Sequence, residues 1–212
     1  VVIPNTIKRI GSSVFGDCEE MVATIPASVT LIDYMAFYNC KKIESIKLGP
    51  DVKNIGFDAF YGTGIASITI PKSVESIGTG MLGKCEKLQT IKVEDGNPHY
   101  DSRNNCNGIF VKATNTLLAG CMNTMIPEET ETIASEAFYR HSGLKEIKLP
   151  YYLKTIGVLS FYETGLSTIT IPESVDSIGT SAFRNCANLT TVKVLRKEPL
   201  KIKESVFFND TD

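Results

Sequence analysis

The chain contains 212 residues, of which 42% are hydrophobic and 22% are charged, and its formal net charge is -2. This composition is typical of a globular protein, and no apolar run reaches the roughly 18 to 20 residues that span a bilayer. The near-neutral charge argues against nucleic-acid binding, which needs a basic surface. Histidine occurs only at His99 and His141, so side chains for acid–base and metal chemistry are few.

A repeated unit of 22 or 23 residues organises the chain, and one large apolar side chain, the anchor, marks each copy. A period in the low twenties is typical of solenoids in which each coil holds one strand and one irregular or short helical segment. A single coil is too small to fold alone, so stacking must bury equivalent side chains against one another. The anchors are Phe15, Phe37, Phe60, Leu82, Phe138, Phe161 and Phe183.

The segment after the anchor exists in two lengths. Where Cys or His lies three residues after the anchor, as at Cys40 and His141, the next apolar residue follows the anchor by six. Where Thr-Gly lies there, as at Thr63 and Thr164, the next apolar residue follows by five. This difference explains much of the alternation between the two repeat lengths.

An apolar alternation at the end of each unit predicts a strand whose outer residues point inward and whose middle residue points outward. The predicted strands stack into one parallel sheet, with coils about 4.8 Å apart. Their inward pairs are Ile46/Leu48, Ile68/Ile70, Ile91/Val93, Ile147/Leu149, Ile169/Ile171 and Val192/Val194.

An Ile-Gly step recurs in five units. We expect its glycine either to have a positive φ angle or to allow a close backbone approach. The glycines are Gly11, Gly56, Gly78, Gly157 and Gly179, and the slot holds Asp33 or Ala134 in two other units.

One coil is enlarged, because Leu82 and Phe138 are 56 residues apart where two ordinary units take 45. The extra residues lie at about 94–125, where apolar runs 109–111 and 117–119 flank a polar turn and predict a β-hairpin. The repeat resumes afterwards, so we interpret residues 1–212 as one domain. A further unit opens at Ile202, and we expect the chain to continue beyond one or both ends, because solenoids normally carry caps.

The unit I-P-x-S-V-x-x-I-G-x-x-A-F-x-x-C-x-x-L-x-x-I-x-L resembles the BspA-type leucine-rich repeat over nearly the whole chain. The resemblance implies a curved right-handed solenoid with a parallel sheet on its concave face and irregular or short helical segments opposite. It also implies a bacterial cell-surface or secreted protein, in some members an adhesin, and it carries no shared catalytic residues. The departures are Thr63, His141 and Thr164 in the Cys slot and Met81-Leu82 in the Ala-Phe slot.

The cysteines do not have the spacing of metal ligands. Four of them occupy one repeat slot and are predicted to be buried reduced thiols: Cys18, Cys40, Cys85 and Cys186. In the enlarged coil, Cys106 and Cys121 either pair or stay reduced. The acidic stretch there does not fit a calcium loop, since Arg103 and Lys112 fall at ligand positions.

Nucleophilic catalysis needs a base beside the nucleophile, but His99 lies in the enlarged coil and His141 takes a Cys slot about two repeats away, with no sign of a partner. We interpret His141 as a partly buried structural residue and predict no enzyme, no cofactor and no metal.

The outward strand positions favour a binding surface for a protein or glycan, although a merely solvated sheet face also fits. No aromatic cluster accompanies them. The function predicted is a non-enzymatic binding or adhesion module that engages a protein or glycan of a host or neighbouring cell through the concave sheet face or the enlarged coil. The alternative is a structural spacer or an accessory repeat domain of a larger surface protein. The candidate binding residues are Lys47, Thr69, Lys92, Lys148, Thr170 and Lys193.

Overall fold

The computed structural model describes residues 3–18, 25–200, 202 and 205–209. The chain winds into a β-solenoid of about eight turns with parallel strands and almost no helix, which confirms the predicted fold class. Its strands are β1 (Arg9–Ile10), β2 (Leu31–Ile32), β3 (Asn54–Ile55), β4 (Ser67–Ile70), β5 (Ser76–Ile77), β6 (Thr90–Val93), β7 (Tyr100–Asp101), β8 (Gly108–Val111), β9 (Thr116–Gly120), β10 (Thr132–Ile133), β11 (Thr155–Ile156), β12 (Thr168–Ile171), β13 (Ser177–Ile178) and β14 (Thr191–Val194).

The predicted sheet forms in two separate parts. Strand β4 pairs with β6 and β12 pairs with β14, both in parallel register. Segments 45–48 and 146–149 have the same alternation but are not strands, so the prediction was wrong for them. Each ladder joins a coil with Thr-Gly after its anchor to a following coil with Cys there.

Where a long coil is followed by a short one, a glycine in the short coil allows the two turns to pack closely. A Cβ at Gly64 would lie 2.1 Å from the carbonyl oxygen of Lys41, and one at Gly165 would lie 2.2 Å from that of Ser142. These oxygens belong to the longer turns of the preceding coils. A side chain cannot fit there, so each short coil needs glycine where it meets a long one.

A second set of strands, which the sequence analysis missed, lies at the Ile-Gly step. Strands β1, β2, β3 and β5 lie there and form one parallel sheet. Strands β10, β11 and β13 also lie there and continue in parallel from β9, which is a strand of the predicted hairpin. Their glycines do not have positive φ, but the expected close approach is present: a Cβ at Gly78 would lie 2.4 Å from the backbone nitrogen of Phe57. Positive φ occurs instead two residues before and after the anchor, for example at Met35 and Asn39.

The anchors stack inside the solenoid and belong to two buried clusters, which divide between Leu82 and Phe138. Neighbouring rings stack with centroids 5.4 Å apart for Phe15 and Phe37 and 5.0 Å apart for Phe161 and Phe183. The ring of Phe207 stacks on Phe183 at 5.3 Å, so the last unit continues the stack, although its residues 203 and 204 lie outside the described part of the chain.

The enlarged coil contains the predicted hairpin, which is confirmed: β8 pairs antiparallel with β9, and β7 pairs antiparallel with β8. On the anchor side the neighbouring coils meet directly, because the backbone nitrogen of Lys84 donates to the carbonyl of Tyr139 at 2.9 Å. The insertion therefore projects from the sheet side, while the coils before and after it remain in backbone contact on the anchor side.

Candidate functional site

The six candidate binding residues all lie exposed on the face that carries β4, β6, β12 and β14, here called the strand face. Thr69 lies opposite Lys92 in the β4–β6 ladder, and Thr170 lies opposite Lys193 in the β12–β14 ladder. The enlarged coil separates the six in the sequence into two groups of three. We call them together the lysine–threonine row.

Side chains of the enlarged coil cover the free edge of β6. The side-chain oxygen of Asn107 accepts from the backbone nitrogen of Ile91 at 3.1 Å, and the hydroxyl of Ser102 accepts from that of Val93 at 2.9 Å. The amide of Asn107 also donates to the carbonyl of Gln89 at 2.8 Å. These bonds satisfy an edge that would otherwise be open to another strand, and they fix the insertion beside Lys92.

A first cleft of about 600 Å³ lies between β6 and the enlarged coil. Lys92 lines it from the row, and the exposed residues Asn104 and Asn105 line it from the insertion. Arg103 lies in the part of the cleft lining that the insertion contributes, and its guanidinium donates hydrogen bonds to the carboxylate of Asp101 at 2.9 and 3.0 Å. These bonds raise the pKa of Arg103. The guanidinium carbon also lies 3.9 Å from the centre of the Phe110 ring. The sequence analysis offered the enlarged coil as an alternative docking surface but named none of its residues as a binding residue.

A second cleft, of about 800 Å³, lies next to the other half of the row. Lys148 and Thr170 line it together with Met125 and Tyr151, and each of the latter two is 66% exposed. The rings of Tyr151 and Tyr152 meet edge to face at 5.3 Å. The outward strand positions themselves hold no aromatic residue, but the sequence analysis did not consider the Tyr-Tyr pair that follows Pro150 and lies beside the row.

Three ionisable groups that could serve in catalysis, His141 and the thiols of Cys40 and Cys85, are buried. Burial lowers the pKa of His141 to about 4, and its Nδ1 has no hydrogen-bond partner among the described residues, so it is more buried than predicted. Burial raises the pKa of the Cys40 and Cys85 thiols to about 11, and each donates to the carbonyl of an anchor in the preceding coil, at 3.0 and 3.1 Å.

Of the four slot cysteines, Cys18 differs from the prediction because it is exposed. It lies in the first described coil, where no earlier described coil covers it. Cys106 and Cys121 are both buried free thiols. In the described part of the chain, no three His, Cys, Asp or Glu side chains are grouped to hold a metal ion. Nor does any helix there have the length and apolar character needed to cross a membrane.

Comparison with known families identifies the repeat. The profile of the BspA type leucine rich repeat region matches six copies in this chain, over residues 1–107 and 119–212. No curated protein matches the chain.

Solved structures share the fold. A leucine-rich repeat protein from Eubacterium ventriosum superposes with a TM-score of 0.75 at 25% identity, over 98% of this chain and 64% of its own. One from Bacteroides ovatus has a TM-score of 0.61 at 24% identity, over 92% and 60%. A leucine rich cell surface protein from Faecalibacterium prausnitzii has a TM-score of 0.59 at 20% identity, over 91% and 70%. The chain thus spans less than two thirds of the first two proteins.

Proposed function

The chain belongs to the BspA-type leucine-rich repeat family, and from this premise we propose that it is a non-enzymatic binding or adhesion module of a secreted or cell-surface bacterial protein. Its partner is a protein or a glycan that docks on the strand face. The surface location is supported by the fold, which a leucine rich cell surface protein shares.

The observation that carries the proposal is the exposed lysine–threonine row with a cleft beside each half. Clefts bordered by a few convergent polar groups are the usual form of a binding site, and extended solenoid faces commonly dock partners. Among the described residues, neither Lys47 nor Lys92 forms an ion pair, so these two ammonium groups are available to an acidic or hydroxyl-rich partner.

The direct test is charge reversal along the row. Replacing Lys47, Lys92, Lys148 and Lys193 with Glu is expected to weaken adhesion to matrix proteins or glycans, most strongly at low salt, while the far-UV spectrum stays unchanged. The matched control reverses four exposed lysines outside the row, Lys8, Lys72, Lys87 and Lys197, which changes the net charge equally. Unchanged adhesion of the row variant, or equal loss in the control, would contradict the proposal and favour the spacer alternative.

A second comparison separates the row from the enlarged coil. Deleting the coil would remove the buried side chains of Phe110 and Leu117 and so disturb the fold. Single variants avoid this: Lys92→Glu changes the first cleft, whereas Lys47→Glu changes the row outside it. A larger loss of adhesion for Lys92→Glu supports docking at the enlarged coil, and equal losses assign docking to the row as a whole.

A further inference from the structure

We infer that the second cleft provides most of the binding energy of a protein–protein interface. The partner inserts a large apolar side chain into the cleft, and a lysine or arginine of the partner lies beside that side chain. This inference rests on the proposed binding function and specifies its partner class and position. It concerns the groove lined by Met125, Ile147, Lys148, Tyr151, Thr170 and Leu195.

The groove exposes large apolar side chains. Met125 and Tyr151 line it and are each 66% exposed, and Tyr152, which lies next to Tyr151 outside the lining, is 61% exposed. Tyrosine and methionine are enriched in the cores of protein interfaces, and a few such residues usually provide most of the binding energy. The edge-to-face contact between the two tyrosine rings, at 5.3 Å, limits their motion before a partner arrives.

The shape of the groove follows from the interrupted sheet. Segment 146–149 lines one side and β12 lines the other, and within the described residues β12 pairs only with β14. Two segments that the repeat would bring together as neighbouring strands are therefore unpaired where the groove lies. Its volume of about 800 Å³ is that of a site for a drug-sized molecule, large enough for a bulky side chain and its neighbours.

The charges around the groove favour a basic neighbour on the partner. The carboxylate of Glu128 is already engaged, because it accepts from Nζ of Lys148 at 2.7 Å and from the backbone nitrogen of Tyr151 at 3.3 Å. Glu146 is exposed in the groove and has no ion-pair or hydrogen-bond partner among the described residues. One carboxylate is thus left for a lysine or arginine of the partner.

The lining favours a protein over a sugar. A sugar needs donors and acceptors that converge on its hydroxyl groups. The groove has polar side chains, but Lys148 and Glu128 already bind each other, and most of the exposed lining is apolar, from residues such as Met125, Ile147 and Leu195. The same side chains suit an apolar residue of a polypeptide.

The probe is a displayed library of linear peptides selected on the whole chain. We expect the enriched peptides to share a large apolar residue adjacent to Lys or Arg, and Tyr151→Ser and Met125→Ser each to weaken their binding by about tenfold or more. Tyr34→Ser is the matched control, because Tyr34 is an exposed tyrosine outside the groove. Against the Glu146→Lys variant, the selected peptides should carry Asp or Glu, in place of Lys or Arg, next to the large apolar residue.

Peptides that bind Tyr151→Ser as well as the original chain, or a selection that stays basic against Glu146→Lys, would overturn the inference. Tyr151-dependent binding to a glycan array without peptide binding would also overturn it, since it would assign the groove to sugars. If the row variant loses adhesion while Tyr151→Ser and Met125→Ser retain it, only this inference is rejected. If none of these variants changes adhesion, the proposed function is rejected as well.

Discussion

Nη1 of Arg140 donates a hydrogen bond to the hydroxyl of Tyr61 at 3.1 Å, although the two residues are 79 positions apart in the sequence. The contact spans the coil of Leu82, where Gly83 leaves room: a Cβ there would lie 2.9 Å from the Tyr61 ring. Nη2 of Arg140 also donates to Glu163 at 2.9 Å. This lateral link connects the coils before the insertion to those after it, on the side away from the strand face.

We predict that the link couples the two parts of the solenoid in stability. Tyr61→Phe should reduce the free energy of unfolding by about 1 kcal/mol, because it leaves one donor of Arg140 without its partner. Tyr61→Phe and Arg140→Ala should be non-additive in urea denaturation, since they remove the same bond. Tyr38→Phe, on the neighbouring ring of the tyrosine stack, is the control. If the effects of Tyr61→Phe and Arg140→Ala on the free energy of unfolding add, the hydrogen bond between these residues contributes nothing to stability.

The Ile-Gly step gives a matched test of close packing. A Cβ at Gly78 would lie 2.4 Å from a backbone nitrogen of the preceding coil, whereas a Cβ at Gly11 would meet nothing closer than 3.7 Å. Gly78→Ala should therefore cost about 1–3 kcal/mol of stability or more, and Gly11→Ala should be nearly neutral. Thermal unfolding of both variants checks this. Equal effects would mean that coil spacing does not determine the residue in this slot.

Cysteine reactivity should distinguish the first coil from the others. Burial raises the pKa of Cys85 to about 11 and also raises the pKa values of Cys106, Cys121 and Cys186, and their side chains are inaccessible. A thiol reagent at pH 8 should modify one cysteine rapidly, and Cys18→Ser should abolish that fast phase. The remaining thiols should react only after unfolding. Rapid reaction of several thiols in the native Cys18→Ser variant would contradict the buried cysteine slots.

His141 should make the fold sensitive to acid. Its pKa is about 4 when folded, below its ordinary value of 6.5, so the unfolded chain takes up the proton first as the pH falls. The stability that it contributes is complete above pH 6.5 and is lost as the pH falls toward 4, by about 3 kcal/mol in all.

His141→Cys, which restores the usual residue of the slot, should remove this loss. The comparison must be made with the original chain at each pH, because Asp58 acts in the opposite direction. Burial and the nearby Glu136 raise the pKa of Asp58 to about 6, so its contribution is lost as the pH rises. Denaturant titrations at pH 4 and pH 7 give the difference, and an unchanged pH dependence in His141→Cys would contradict this role for His141.

Much of the fold could be predicted because stacking requires equivalent side chains to recur. The Phe37 and Phe60 anchors and the 109–119 hairpin both carried local signals, a fixed spacing and a polar turn between apolar runs. Strand pairing could not be predicted in this way, since segments 45–48 and 67–70 have the same alternation. Their difference arises from the turn before them, where Gly64 meets the carbonyl of Lys41 in the neighbouring coil.

The site was predictable only in part, for a similar reason. The outward position of Lys92 follows from strand alternation, but its cleft depends on how Ser102 and Asn107 bind the edge of β6. The exposure of Tyr151 depends on the unpaired segment 146–149. Contacts between coils determine both features, and a single unit of the repeat does not contain that information.

The central claim is that partners dock on the strand face, and hydrogen exchange measured with and without a bound partner tests it most directly. A matrix protein or glycan that adheres to the chain should slow exchange in strands β4, β6 and β12 and in the enlarged coil, which border the row. Slowing confined to the opposite side, around Tyr38, Arg140 and Tyr162, with unchanged exchange in these strands, would contradict the account.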